Sequence, residues 1–442
     1  MDKNSGMMDS QDISEQELET LKGDAVGDNL YSGRWIISTL MSLCEIDKNG
    51  WTQELEERLC ILWDLTCEEE IVSHLMSYDF PKIARNVLEK HDQPRLIEII
   101  LGIIGNICCK DEVIDTIGRD KDLVTQILNN LESDDTLTLI QLLRILQCTA
   151  WRITVNPQSD WITHFTECKF FGDSIIFILR SSTNDELLLA TTSVLVPLSR
   201  INLSHQKKFF EEIFKIDNLI SALLESFIQL ISVEKISYSR KELTFIEQWV
   251  EVLIFIIELG SLKFEDYEND EHFFKLMEIM YRILKPYEEL CNLFPIQQKE
   301  VNVIYETMRI LISFRCCNVN IPPKIDHIVA TILFSLKTVL DSEKEELNSQ
   351  EQMGMILHCL DQYWLQIMGL CTTEQIVEIL RLCKREVWEY LINTQSVNIH
   401  VKSLCDRMHN LFPNMKRVEL DTKIKPEMLE KVKKAAAVLE ES

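Results

Sequence analysis

From Pro94 to Cys109 the chain reads P-R-L-I-E-I-I-L-G-I-I-G-N-I-C-C, apolar at almost every position. A helix that lacks a polar face has to be buried on several sides at once. The segment is too short and too interrupted to cross a bilayer, which takes roughly 20 apolar residues. It therefore reads as the inner helix of a stack of helical repeats. Around it, apolar residues recur with helical spacing. In 54–65, Leu55, Leu59, Leu62 and Trp63 form one stripe. Helices over 71–76 and 83–88 follow, divided at Phe80-Pro81, because the chain before a proline leaves helical geometry. Further helices are predicted over 95–109, 123–131, 137–151, 175–179, 187–201, 219–233, 243–259, 273–284, 297–314, 325–340, 353–370, 374–392 and 397–411. A last amphipathic helix, 426–440, carries Pro in its first turn.

Setting Pro94, Asp135 and Asp185 in register aligns Leu101 with Leu142 and Thr192, and Ile104 with Ile145 and Leu195. Ile107, Cys148 and Leu198 then align as well. The offsets are 41 and 50 residues, against roughly 40–47 for armadillo and HEAT repeats. Each unit opens on a turn suited to an N-cap: Asp92-Gln93-Pro94, Ser133-Asp134-Asp135 and Thr183-Asn184-Asp185. Beyond residue 205 the helices lengthen and the register is lost. The expected fold is all-α, a right-handed α-solenoid of armadillo or HEAT type. Residues 1–29 read as a disordered acidic tail, 30–420 as the repeat array, and 421–442 as a C-terminal amphipathic helix or tail. The acidic segments 265–271 and 341–351 read as solvent-facing loops.

Composition narrows the class. At 442 residues the chain exceeds one compact core, which stops growing at about 250–300. Its 12 Gly and 10 Pro are too few for the turns of an all-β protein. The formal net charge of −26 repels nucleic-acid phosphates and anionic lipid. It would steer a basic partner, or serve only to keep a large array soluble. There are 14 Cys, no C-x-x-C pair and no secretory signal at the polar start. Together these point to a reducing compartment and free thiols packed in helices.

Candidate chemistry is sparse. The chain contains no G-x-G-x-x-G, Walker-type, H-E-x-x-H or G-x-S-x-G sequence. His358-Cys359 is the one His directly beside a Cys, and a metal site there would need two more ligands. Glu68-Glu69-Glu70 falls at a helix start, where carboxylates meet the positive end of the dipole. Basic residues come in short clusters without interleaved aromatics, which argues against a nucleic-acid face. The last of them, within 431–434, reads as the polar face of a capping helix or as an import signal. No catalytic, cofactor or metal site is expected.

Four blocks carry a family resemblance. They are Gly23-Asp24 through Tyr31-Ser32 with Trp35 just after, Leu59 through Trp63-Asp64, Pro94-Arg95-Leu96 through Gly105-Asn106, and Asp120-Lys121-Asp122-Leu123. On these blocks, within 23–150, the chain resembles the serum amyloid A-like protein 1 family, also called synoviocyte proliferation-associated proteins. Leu411-Phe412-Pro413-Asn414-Met415-Lys416 is similar to that family's closing segment. The resemblance implies an armadillo-like helical fold, nuclear residence and a role promoting cell proliferation, with no catalytic residues to carry over.

Armadillo proteins of the importin type grip extended peptides with Trp and Asn ladders on their third helices. Asn106 falls on the Asn position of the first unit, with Gln147 and Pro197 as its counterparts. The Trp position falls on Gly102, Leu143 and Ser193, so the ladder is missing. Two placements stay open for Asn106 and Gln147: facing a concave partner groove, or bonding a neighbouring loop. The expected function is a non-enzymatic scaffold in the nucleus or cytoplasm. It would hold a protein partner with a basic or extended segment, using no cofactor, nucleic acid or membrane. Competing readings are an enzyme with a concealed site and a membrane-surface adaptor.

Overall fold

In the computed structural model the described residues are 31–201, 206–259, 271–316, 319–342, 347–393 and 426–440, and they form helices and connections with no β-strand among them. The expected tail 1–29, helix 397–411 and closing segment 411–416 lie outside the described residues. The chain divides into two units between Phe171 and Gly172.

The first unit contains α1 (Gly33–Cys44), α2 (Gln53–Leu65), α3 (Glu69–Ser77), α4 (Phe80–Lys90), α5 (Pro94–Ile107), α6 (Asp111–Arg119), α7 (Lys121–Asn129), α8 (Thr136–Val155) and α9 (Trp161–Glu167). Side-chain oxygens close several first turns. Ser32 accepts from the Trp35 amide, Thr52 from Leu55 and Asp120 from Leu123. The break expected at Phe80-Pro81 falls one residue earlier. Asp79 takes a left-handed conformation (φ 55°), and Phe80 and Pro81 begin α4. Helices α2, α5 and α8 pack side by side as one layer, while α1, α4 and α7 form the layer behind them. The unit is therefore built of triplets, α3–α4–α5 and α6–α7–α8, each ending in its longest helix. The helices expected from sequence leave out α1, α6 and α9, and in the second unit Gln206–Ile213. The apolar spacing of α6 and α9 is clear, as Val113, Ile114 and Ile117 of α6 show, but it runs for only nine residues in α6 and seven in α9.

The expected enclosure of α5 holds: Leu96, Ile99, Ile100, Leu101, Ile103, Ile104 and Ile107 are fully buried. Gly102 admits the Trp63 indole from α2. A Cβ there would lie 2.2 Å from the ring, so only glycine allows this approach. Gly118 in α6 is covered in the same way by Trp161, whose Nε1 donates to Ile114 O at 3.1 Å. Arg152 of α8 holds α6 through Asp111 (2.8 Å) and Asp115 (2.6 and 3.1 Å).

The caps correct the repeat register. Asp135 accepts from Thr138 N and Asn184 from Leu187 N, while Gln93 occupies the cap position before Pro94. Asp185 is thus the first residue of its helix rather than the cap, and the cap positions 93, 135 and 184 replace 94, 135 and 185 as the aligned set. On this register Thr138, Leu139, Leu142, Ile145 and Leu146 match Leu187, Leu188, Thr191, Val194 and Leu195, and all are buried. Cys148, not Gln147, then corresponds to Asn106.

The second unit contains α10 (Phe171–Ser181), α11 (Asp185–Arg200), α12 (Gln206–Ile213), α13 (Ile216–Leu230), α14 (Arg240–Glu258), α15 (Glu271–Leu284), α16 (Gln298–Cys316), α17 (Pro323–Ser342), α18 (Leu347–Leu370), α19 (Thr373–Leu382), α20 (Arg385–Asn393) and α21 (Pro426–Glu440). Helices α11, α14, α16 and α18 pack in succession, backed by α13, α15, α17 and α19. The register fades after residue 205 because the triplet α12–α13–α14 gives way to the longer pairs α15–α16 and α17–α18. The loop expected over 341–351 is mostly helix, since α17 runs to Ser342 and α18 starts at Leu347. The helix expected over 374–392 breaks into α19 and α20. At the heart of the unit Arg315 is ion-paired to Asp326, whose other oxygen accepts from Tyr363 OH at 2.7 Å. All three are buried. Helix α21 packs on α19, and Lys431 donates to Met368 O (3.2 Å) and Cys371 O (3.0 Å) at the end of α18. A lysine here satisfies carbonyls that have no helical partner. Within the Lys-rich last helix, Lys431 thus serves to cap α18.

Two outcomes follow from this packing. Gly102→Ala drives a methyl into the Trp63 ring and should lower unfolding stability by about 1–3 kcal/mol. Chemical denaturation should show its cost to be less than additive with Trp63→Leu, and full additivity would refute the contact. Asp115 is held below the ordinary carboxylate range by its hydrogen bond to Arg152, despite an opposing effect of burial. Its stabilisation is present above the unfolded carboxylate pKa and is lost as pH falls through the lowered folded value. Arg152→Gln should thus cost about 1 kcal/mol at pH 7. The gap to the unmodified chain should shrink on acidification below the usual carboxylate range, as read by thermal midpoints across a pH series.

Candidate functional site

The partly exposed positions of the first unit's α2–α5–α8 layer fall at helical spacings of three and four, one stripe on each helix. Helix α2 and the turn after it contribute Glu56, Cys60, Trp63 and Cys67. From α5 and the turn after it come Arg95, Asn106 and Cys109. The stripe of α8 holds Gln141, Arg144, Cys148, Trp151 and Val155. Polar rungs join the stripes. Arg95 donates to Glu56 (2.9 Å) across the first pair of helices and to Glu98 (2.7 Å) within α5. Asn106 Nδ2 donates to Trp63 O (3.1 Å) and Thr66 Oγ1 (2.9 Å) at the end of α2. Its Oδ1 accepts from Arg144 Nη2 at 2.9 Å, and Arg144 Nη1 donates to Gln141 at 2.6 Å.

Asn106 therefore spends both donors, and an acceptor position, on its neighbours. Of its two expected roles, bonding an adjacent helix end is directly visible. The structure links Asn106 to Arg144 rather than to Gln147. Gln147 is half-buried and makes no internal hydrogen bond among the described residues. It lies one turn before Trp151 and two before Val155, which are 39% and 74% exposed. These two apolar side chains are large enough to anchor a ligand, and both went unremarked as site residues in the sequence. Their i, i+4 spacing at the end of a largely apolar helix was the available signal. The Trp position read as empty at Gly102 is filled in space by Trp63, contributed from the preceding helix. A glycine within an Ile/Leu run was the only trace of that arrangement.

The second unit repeats the rungs with more acid. Gln248 of α14 bonds Thr192 and Ser193 of α11 (2.9 and 3.0 Å), and Asn302 of α16 donates to Glu247 of α14 (2.8 Å). Arg309 donates to Glu306 at 2.5 Å and pairs with Glu258 at 3.7 Å. Burial pushes the Glu306 and Glu258 carboxyls up, and Arg309 partly offsets this. On α18, His358 is half-buried, while Cys359 is buried and its thiol is pushed up to about 12 by that burial. Among the described residues no three His, Cys, Asp or Glu side chains converge as metal ligands. No described helix is long and apolar enough to cross a membrane.

No family model matches the chain. Against curated proteins it is 29% identical over 272 residues to "Protein saal1" of Danio rerio, covering 56% of this chain and 57% of that protein. It is 33% identical over 186 residues to "Protein SAAL1" of Homo sapiens, covering 39% of each. The chain thus spans about half the length, or less, of the curated relatives it matches. Among solved structures, one titled for a phosphorylation switch in the interaction between cadherin and beta-catenin aligns with 92% of this chain and 79% of its own. Its TM-score is 0.47 and its identity 11%. The sequence matches to the zebrafish and human proteins agree with the resemblance carried by the N-terminal blocks and support membership of the SAAL1 family.

Proposed function

We propose that the chain is a non-enzymatic interaction scaffold that holds an extended protein segment bearing basic residues along the α2–α5–α8 face. The observation that carries this reading is the outer end of α8, where the exposed apolar side chains of Trp151 and Val155 stand beside the half-buried amide of Gln147. Asn106 and Arg144 form the polar floor next to it. Aromatic anchors ringed by polar groups are the usual source of binding energy at protein interfaces. The net charge of −26 supports a basic partner rather than nucleic acid or anionic lipid, and would speed encounter. Nuclear residence, extending to the cytoplasm, and a role in promoting cell proliferation complete the proposal, supported by the family resemblance.

The test uses the full chain against a library of extended peptides varying in basic and apolar content, with affinities read by fluorescence anisotropy. Binding should favour basic peptides and weaken as salt rises. The double variant Gln147→Ala, Trp151→Ala should lose at least about tenfold in affinity. Unchanged affinity in a variant with intact helical circular dichroism would remove the groove from consideration. Imaging of the tagged chain in cells checks the compartment separately.

A further inference from the structure

Two thiols on this same face take no part in its rungs. The 2.9 Å bond from Arg144 to Asn106 fixes the register between α5 and α8. One turn further along each stripe, three residues past Asn106 and four past Arg144, stand Cys109 and Cys148. That register sets the two side chains on facing stripes of the packed helices, with the Cys109 thiol also within 3.9 Å of Gly105 O. Cys109 is exposed and Cys148 half-buried, whereas the neighbouring Cys108 is fully enclosed. We infer that Cys109 and Cys148 form an oxidisable dithiol, a modification site at which a peroxide closes a disulfide that staples α5 to α8.

The chemistry takes two steps. The Cys109 thiolate attacks a peroxide oxygen, the O–O bond breaks and an S–O bond forms. The sulfur, oxidised by two electrons, becomes a sulfenic acid, and the other oxygen leaves as water. The Cys148 sulfur then attacks that of Cys109. The S–O bond breaks, the S–S bond forms, and the departing hydroxide takes up the Cys148 proton as a second water. Two thiols and one peroxide thus give one disulfide and two waters. Environment assigns the roles. Burial pushes the Cys148 thiol up to about 11, against a smaller opposing pull from the Arg144 guanidinium. Cys148 is therefore mostly protonated at neutral pH, and the exposed Cys109 meets the oxidant first. Their placement on facing stripes makes the second step intramolecular, which offsets the low thiolate fraction of Cys148.

The experiment treats the full reduced chain with hydrogen peroxide, caps remaining thiols and maps peptides by mass spectrometry. The expected product is a peptide pair lighter by two hydrogens and joined through Cys109 and Cys148, with Cys108→Ser as the background that removes ambiguity at the adjacent position. In Cys148→Ser the reaction should stop at the Cys109 sulfenic acid, trapped by dimedone. In Cys109→Ser, Cys148 should stay reduced. Closure should raise the thermal midpoint by about 5 °C, reversibly with dithiothreitol. The inference is overturned by a cross-link from Cys109 to Cys67, or by a folded chain that carries sulfinic acid at Cys109 with no cross-link. No partner enters this readout, so it stands apart from the scaffold proposal.

Discussion

Helix α5 has no side that water could cover, and this dictates where its neighbours lie. Each fully buried Leu or Ile contributes about 1.5–3 kcal/mol relative to exposure, and α5 carries seven such residues. They are satisfied only when α2 and α8 flank the helix and α4 lies against it. Close approach then requires small residues where a neighbour projects a large one. The Trp63–Gly102 joint follows from that demand, and Trp161 on Gly118 is the same solution in α6. Enclosure of one helix therefore sets the layer spacing of the whole first unit.

Once helices are packed this closely, polar groups are restricted to two places. On the stripe facing outward they link neighbouring helices, as Asn106 links α2 to α8 and Gln248 links α14 to α11. Deeper in, a charge is kept only with its partner. Asp326 sits between Arg315 and Tyr363 because an uncompensated buried carboxylate would be prohibitive. Lys431 plays the complementary part at the end of α18, meeting carbonyls that have no following turn.

This arrangement shapes what the face can recognise. Polar side chains that hold the layers together have their hydrogen bonds committed, as the amide of Asn106 shows. In the proposed scaffold a partner would be met by the side chains that stay accessible at the outer end of α8, Gln147, Trp151 and Val155. The same register that joins Asn106 to Arg144 sets Cys109 beside Cys148. Structural and reactive groups thus share one seam.

Local chemistry was enough to fix the helical class, the burial of 94–107 and the last helix at 426–440, because apolar periodicity and caps act within one or two turns. Asn106 stands out only through comparison with the Asn ladder of importin-type armadillo proteins, not through local chemistry. Nor could local chemistry separate Asn184 from Asp185 as a cap, since both are capable and only the fold selects one. The short helices α6 and α9 escaped because an apolar stripe of nine or seven residues is too brief to stand out from a connection. Which Trp fills the space at Gly102, whether Asn106 spends its amide inward, and which thiols meet are properties of residues about 40 positions apart in the chain. Spacing along a helix determines its own faces, but the juxtaposition of faces on different helices exists only once the layers have closed.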